Sequence, residues 1–262
     1  MSVRSPTPSV AELRAATQPP SLFERNSGEH WAGKLYMRKI SPHATRALLK
    51  TPLTPNGATW LMIAVGFAAA ATLTLPGLVP AIAALLLIQT QLLLDCVDGE
   101  MARWLDRRSP VGVYLDRIGH YLTETALPIA LGIRADGGWD HVGGWTTLGL
   151  VAAVLQLLVK AETALVHVAR LESGLGKLED TQATAAPQRG LLRSARSALG
   201  HLPFYRAFVA VEFTFLTLIA AVVDELRDDL DGSRALVIGM VAVGVITAVG
   251  HLAAILASKR LR

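Results

Sequence analysis

Six long apolar segments constrain the fold of this chain more than any other feature of the sequence. They are residues 57–75, 78–103, 111–133, 143–167, 207–223 and 235–257. A helix needs about 20 predominantly apolar residues to cross the hydrocarbon core of a bilayer, and each segment is close to that length. Only 18% of the residues are charged, whereas a soluble domain contains about 25%. The sequence therefore predicts an all-α, polytopic membrane protein with six transmembrane helices.

The residues before the first apolar segment have a different character. Residues 1–30 are rich in Pro, Ser and charged groups, a composition typical of a disordered tail. Residues 31–50 mix aromatic, leucine and basic side chains, which favours a helix lying in the membrane interface. Pro42 must either break or start that helix. We therefore expect a disordered tail, followed by one membrane domain over residues 31–262 that comprises the interfacial helix and the six spans.

The distribution of Lys and Arg predicts the orientation of the chain in the plasma membrane. With the N-terminus inside, the cytoplasmic pieces would be residues 1–56, 103–110, 168–206 and 258–262. These pieces contain eight, three, six and three of the 25 Lys and Arg residues, whereas the opposite loops contain only Arg134, Arg227 and Arg234. Because cytoplasmic loops carry the excess of positive charge, both termini are expected to face the cytoplasm. The pI near 9.5 then reflects basic loops beside anionic lipid, and no nucleic-acid partner is expected.

Ionisable side chains within the apolar segments fall at one depth. In this topology Asp95 and Asp98 lie near the inner end of the second segment, and Asp116 and His120 near the inner start of the third. Charged groups inside a membrane are costly and usually functional, so we expect a polar cavity that opens to the cytoplasm. Weaker candidates at the same depth are Lys160, Glu162, Glu212 and His251.

The spacing of the four strongest candidates favours a metal site. Asp95 and Asp98 are three residues apart, and Asp116 and His120 are four apart, so each pair lies on one face of its helix. A short loop joins the two helices, which are therefore expected to be antiparallel neighbours. Three carboxylates in a low-dielectric pocket repel one another unless a cation neutralises them. Oxygen ligands suit Mg²⁺, Mn²⁺ or Ca²⁺, and Mg²⁺ in particular bridges carboxylates and substrate phosphates. A lone Asp would more simply form an ion pair at a helix end, but the spaced set favours phosphoryl chemistry.

Small and polar residues between these pairs fit a bound phosphate. Gly99, Ala102 and Gly112 would allow a ligand or the neighbouring helix to approach closely. Arg103, one turn after Gly99, can form a bidentate contact with a phosphate, and Ser109 in the connecting loop can donate to another. The alternatives are that the glycines serve packing alone, that Arg103 anchors the helix at the cytoplasmic surface, and that Ser109 caps the third segment.

These residues together resemble the signature of the CDP-alcohol phosphotransferases, also called CDP-alcohol phosphatidyltransferases. The matching pattern is Asp95-x2-Asp98-Gly99-x2-Ala102-Arg103-x8-Gly112-x3-Asp116. The family signature continues with x3-Asp, and here His120 occupies that position, so that seven of the eight signature positions match. The six-segment layout agrees with the family, and the resemblance covers about residues 32–257.

The resemblance implies a metal site and a nucleotide pocket. The metal site would be formed by Asp95, Asp98 and Asp116, and it would hold two ions, Mg²⁺ or Mn²⁺. The CDP pocket would use Gly99, Ala102, Arg103, Ser109 and Gly112. Before the first segment, Thr54-Pro55-Asn56 followed by Thr59 resembles the Pro-Asn turn by which the family contributes to nucleotide binding, although Thr54 and Asn56 could simply cap a helix.

A narrower likeness concerns the donor substrate. The residues Arg38, Ile40, Ser41, Thr45, Leu49 and Thr51 are similar to a pattern in the subgroup that includes archaeal di-inositol-phosphate phosphate synthases. That likeness implies that the donor could be a soluble CDP-polyol in place of CDP-diacylglycerol. The acceptor stays open among inositol phosphate, glycerol phosphate, serine and a lipid alcohol. The family is commonly dimeric, so a homodimer is a further expectation.

His120 departs from the family at a position with a chemical role. In the family the last Asp ligates a metal and acts as the general base on the acceptor hydroxyl, whose oxygen attacks the β-phosphorus of the CDP-alcohol and releases CMP. An imidazole ordinarily titrates near neutral pH, so it can accept that proton, and it can also ligate a metal. Our hypothesis is therefore that His120 is both the catalytic base and a metal ligand.

Two other functions are weighed against a metal-dependent transferase of phospholipid or polyol-phosphate biosynthesis. A secondary transporter would also place charges within helices, but transporters usually show internal repeats and binding sites near the midplane. Here the charges lie towards one side, and no repeat is evident. A catalytically altered metal-binding family member is the other alternative, and it is motivated by His120.

Overall fold

The structure, a computed structural model of the chain, describes residues 8–19, 31–176, 207–258 and 261. Over these ranges the chain is helical and contains no β-strand. The predicted basic loop 168–206 lies largely outside them. The N-terminal helices are α1 (Val10–Thr17) and α2 (Arg38–Leu48), and a π-helical stretch, Gly33–Met37, runs directly into α2. The longer helices are α3 (Pro55–Leu73), α4 (Leu78–Trp104), α5 (Pro110–Ala135), α6 (Gly144–Glu172), α7 (Ala210–Arg227) and α8 (Asp231–Ala257).

The hydropathy of these helices confirms an all-α, polytopic membrane protein. Helices α3, α4, α6 and α8 are each long and apolar enough to cross a bilayer. Helices α5 and α7 coincide with the two other predicted segments, 111–133 and 207–223. Charged residues along α5, such as Asp116, Arg117 and Glu124, lower its hydropathy. The count of six spans therefore stays a prediction.

The described residues form two compact units. The first comprises the described part of residues 1–68 together with 86–122, and the second comprises residues 69–85 and the described part of 123–262. Helices α3, α4 and α5 each contribute residues to both. The signature residues 95–120 all belong to the first unit.

Small apolar contacts hold α2, α3 and α4 together in the first unit. Ala58 of α3 packs with Val97 and Met101 of α4 in a fully buried cluster, and partly buried apolar side chains, among them Ala44 and Leu48 of α2, pack against it. Helix α5 approaches α3 at Gly119, where an added Cβ would lie 2.7 Å from Ile63 Cγ1. A side chain at position 119 would therefore force the two helices apart. These contacts place the signature halves of α4 and α5 beside the first turns of α3.

Helix α1 lies in the segment that was predicted to be disordered. Ser9 caps it through a reciprocal capping box, in which the Ser9 hydroxyl accepts from the N–H of Glu12 and the Glu12 carboxylate accepts from the N–H of Ser9. Leu13 and Thr17 are fully buried, and α1 packs against α2. The Ser-x2-Glu pattern is a recognisable helix start, and composition alone did not reveal it. The rest of the predicted tail, residues 1–7 and 20–30, lies outside the described residues.

Pro42 neither breaks nor starts a helix in the structure, because it lies inside α2. A proline has no N–H to donate to the carbonyl four residues earlier, which here is that of Arg38. The side-chain amide of Gln18 donates to the Arg38 carbonyl at 2.8 Å instead. The helix predicted over residues 31–50 therefore continues through Pro42. It can do so because Gln18, just after α1, donates to the carbonyl that Pro42 leaves without a helical donor. Its position in the membrane interface remains a prediction.

A buried arginine organises the second unit. The guanidinium of Arg134, at the end of α5, is fully buried and donates to the carbonyls of Leu75 and Gly77 and to the Ser233 hydroxyl. Asp224 of α7 lies 3.8 Å from it and also accepts from the Ser233 N–H and hydroxyl. The sequence predicted Arg134 only as a loop charge. In the structure it joins the α3–α4 loop to α5, α7 and α8.

Candidate active site

The signature residues lie on two antiparallel stretches of helix, α4 up to Trp104 and α5 from Pro110. Ser109 starts α5: its hydroxyl accepts from the Gly112 N–H at 3.1 Å, and Pro110 occupies the first helical position, where no intrahelical N–H is needed. The intervening loop is short and contains Asp106 in a left-handed conformation, with φ of 52°. This tight reversal brings the second half of α4 next to the first turns of α5.

Three of the four predicted metal ligands come together across these helices. His120 Nε2 lies 2.9 Å from Asp95 Oδ1 and 3.5 Å from Asp116 Oδ1. One ligand atom from each of the three residues lies within 4.8 Å of the others. The side chains are 24% (Asp95), 36% (His120) and 42% (Asp116) exposed, so the cluster is open to a solute. We call these three residues the Asp-His cluster.

The donor atoms of the Asp-His cluster fit a divalent cation. Two carboxylates at this separation repel each other unless a positive charge lies between or beside them. A set of two carboxylates and one imidazole suits Mn²⁺ or Zn²⁺ better than an all-oxygen set does, while Mg²⁺ prefers oxygen ligands.

Asp98, the fourth predicted ligand, is not part of the Asp-His cluster. Its carboxylate is buried, with 8% of the residue exposed, and accepts a hydrogen bond of 2.6 Å from the Thr59 hydroxyl of α3. The Thr59 oxygen also lies 3.2 Å from the Pro55 carbonyl, but a hydroxyl has one proton, and the shorter contact with a carboxylate is the stronger bond. Thr59 thus fixes the rotamer of Asp98.

Gly99 provides room for Arg103. An added Cβ at Gly99 would lie 3.1 Å from Arg103 Nη1 and 3.2 Å from Nη2. The guanidinium therefore folds back over the helix surface at Gly99, next to Asp98. Sequence reasoning assigned Gly99 to the approach of a ligand or another helix and did not anticipate this contact within α4. Ala102 is half-buried on the same helix.

The predicted Pro-Asn turn meets the start of α5. The Thr54 hydroxyl accepts from the Gly57 N–H at 3.0 Å and so caps α3. An added Cβ at Gly112 would lie 3.1 Å from Asn56 Oδ1. Gly112 therefore allows Asn56 to approach Ser109, and the structure groups these three predicted nucleotide-binding residues.

Two of the weaker candidates, Lys160 and His251, contact polar side chains within the second unit. Lys160 forms an ion pair of 2.9 Å with Glu124, to which Gln156 also donates. His251 lies 3.0 Å from the Thr163 hydroxyl. Glu124 was not singled out from the sequence, although a carboxylate in the middle of an apolar segment is a signal that could have identified it.

Comparison with known proteins provides independent evidence on the signature. A family model described as CDP-alcohol phosphatidyltransferase matches residues 52–187. The match covers more than half of the chain and includes both the Asp-His cluster and Asp98. Among curated proteins, none matches the chain.

Proposed function

Because the chain belongs to the CDP-alcohol phosphatidyltransferase family, we propose that it transfers a phospho-alcohol group from a CDP-alcohol to an acceptor alcohol, with release of CMP and with dependence on a divalent metal. The observation that supports this most directly is the contact of His120 with both Asp95 and Asp116. That contact gathers a candidate base and two carboxylate ligands in one accessible cluster. The reaction would serve phospholipid or polyol-phosphate biosynthesis.

Asp95 and Asp116 would hold the metal, with Asp98 available as a further carboxylate and His120 as a ligand only while its ring is unprotonated. A bound divalent ion would neutralise the pyrophosphate of the donor and stabilise the charge that develops as CMP leaves. Arg103 would bind a phosphate oxygen through its planar guanidinium. Asn56 and Ser109 would orient the nucleotide by hydrogen bonds. These assignments carry the family pattern onto the side chains that the structure groups around Gly112 and Gly99.

His120 is proposed as the general base. Its ring would take the proton from the acceptor hydroxyl, and the acceptor oxygen would form a bond to the β-phosphorus of the CDP-alcohol. The bond between that phosphorus and the bridging oxygen would break, and CMP would leave with the electron pair. Asp95 and Asp116 favour this role, because a positive charge on the ring would lie beside two carboxylates.

A site with a single ion is the second possibility. It is favoured by the position of Asp98, which bonds to Thr59 and is not part of the Asp-His cluster. In that case the chain would be a family member with an altered metal requirement. We propose the two-ion transferase first because every family carboxylate except the last is present.

The proposal also covers the donor substrate, the membrane location and orientation, and the oligomeric state. The pattern of Arg38, Ser41 and Thr45 supports a soluble CDP-polyol as donor. The distribution of Lys and Arg supports a plasma-membrane location with cytoplasmic termini and an active site that faces the cytoplasm. A homodimer is proposed from the family alone.

The experiment that tests the function is metal-dependent release of CMP. Protein purified in detergent would receive CDP-diacylglycerol or a soluble CDP-polyol, with Mg²⁺ or Mn²⁺ and a panel of acceptor alcohols. Release that requires both metal and acceptor supports the transferase. Release that is absent with every pair of substrates refutes it.

Variants of the Asp-His cluster then test the roles. Asp116→Asn and His120→Ala should each lose transfer, while His120→Asp should keep activity and shift the preference towards Mg²⁺. The matched control is His141→Ala, because His141 is exposed in a short 3-10 turn. Full activity of His120→Ala would exclude the base assignment.

A further inference from the structure

Glu100 is a fully buried carboxylate within the signature, at a position that the family pattern leaves unspecified. It follows Gly99 directly, and none of its surface is exposed. Burial of a carboxylate is strongly unfavourable unless hydrogen bonds and a counter-charge compensate it. The side chains that bind its two oxygens therefore indicate which part of the protein Glu100 holds in position.

All of the partners of Glu100 that the structure describes come from the N-terminal helices. Oε1 accepts from the Ser41 hydroxyl at 2.5 Å and from the Gln18 amide at 2.8 Å, and Oε2 accepts from the Thr45 hydroxyl at 2.6 Å. Arg38 Nη1 lies 3.7 Å from Oε1. One carboxylate thus joins α4 to three side chains of α2 and to the end of α1.

Arg38 is fixed at both its main chain and its side chain. Gln18 has two amide protons, and it donates one to Glu100 and the other to the Arg38 carbonyl that Pro42 leaves without a helical donor. The Arg38 guanidinium lies near Glu100 and close enough to Asp95 and Arg103 for their charges to interact. Two guanidinium groups of like charge, next to metal-site carboxylates, suit a ligand with several anionic oxygens.

We propose that Glu100 is a positioning residue that holds the Arg38 side chain beside Asp95, where Arg38 contacts a phosphate group of a substrate. The inference rests on the proposed function and deepens it. It also makes α1 and Gln18 part of the scaffold of the site. Both the donor and a phosphorylated acceptor carry the required phosphate, and their separate KM values distinguish these two sources.

The kinetic test compares Glu100→Gln, Arg38→Gln and the double variant. Gln preserves the shape of the side chain and removes its charge. We expect each single variant to raise the KM for one substrate about tenfold, with kcat changed much less, because a charged contact in binding is lost. If Glu100 acts through Arg38, the double variant should match Arg38→Gln alone. Glu172→Gln, at an exposed position of α6, is the matched control.

Additive effects of the two substitutions would overturn the proposal, and so would a loss of kcat with both KM values unchanged. The second result would indicate that Glu100 only stabilises the fold. Glu100→Asp, which restores the charge on a shorter side chain, should recover part of the lost affinity if positioning is correct.

A second measurement does not depend on activity. The affinity of the protein for CDP in the presence of Mn²⁺ should fall about tenfold in Glu100→Gln, and trypsin should cleave after Arg14 of α1 faster than in the wild type. If the wild type releases no CMP, the proposed function fails and these two readouts judge Glu100 alone. Unchanged CDP affinity together with unchanged cleavage would refute the positioning role.

Discussion

The hydrogen bond from Thr59 to Asp98 allows a sharp test of how the Asp98 carboxylate is held in position. Thr59 is 3% exposed, so its hydroxyl has little access to water as an alternative partner. Thr59→Val replaces the hydroxyl by a methyl group of similar size and leaves the packing of α3 intact. Asp98 then loses its shortest described hydrogen-bond partner.

The expected loss follows from the geometry. When a bound cation keeps Asp98 ionised, a hydrogen bond of 2.6 Å to it contributes about 1.5–3 kcal/mol, and 1.4 kcal/mol corresponds to a factor of ten. If the bond sets the Asp98 rotamer that the reaction requires, kcat/KM for CMP release should fall about 10- to 100-fold. The half-saturating Mn²⁺ concentration should rise if Asp98 also ligates an ion.

The controls separate the site from the fold. Thr59→Ser keeps the hydroxyl and should retain most of the activity. Thr217→Val makes the same exchange at a buried helical position where the hydroxyl donates to the Phe213 carbonyl, and it should leave CMP release near the wild-type value. If Thr59→Val stays within twofold of the wild type, or if Thr217→Val loses as much activity, Asp98 does not depend on this bond.

Three further predictions concern other contacts. Arg134→Met should destabilise the protein by about 3–5 kcal/mol, because it leaves a buried aspartate without its cation; an unchanged Tm would contradict this. Gly99→Ala should displace the Arg103 guanidinium and raise the KM for the CDP-alcohol with little change in Tm, and an unaltered KM would exclude a donor contact. Burial raises the pKa of Asp136, but hydrogen bonds from Thr146 and from N–H groups at the start of α6 lower it more, so the net pKa shift is downward. The resulting stabilisation is present above the unfolded pKa of about 3.9 and is lost as the pH falls through the lower folded pKa. The Tm gap between wild type and Asp136→Asn should therefore close as the medium is acidified below about pH 4, and a gap independent of pH would refute it.

The sequence by itself determined the long helices and the faces on which the signature residues lie. Apolar length placed α3 at Pro55–Leu73 and α4 at Leu78–Trp104 to within a few residues of the predicted segments, because a helix in a bilayer must be continuous and apolar. The intervals Asp95-x2-Asp98 and Asp116-x3-His120 fixed which side chains share a face, since 3.6 residues complete a turn. The short loop then made the two faces neighbours.

Only the tertiary structure decided which partner each polar group has. Asp95 and Asp98 share a face of α4, but Asp95 meets His120 of α5 whereas Asp98 meets Thr59 of α3. Glu100 binds groups 55 or more residues earlier in the chain, and Arg134 is buried although its surroundings in sequence suggested a loop. Helical periodicity carries no information about such distant contacts. They follow from how the helices pack and from the cost of leaving a buried charge or carbonyl without a partner.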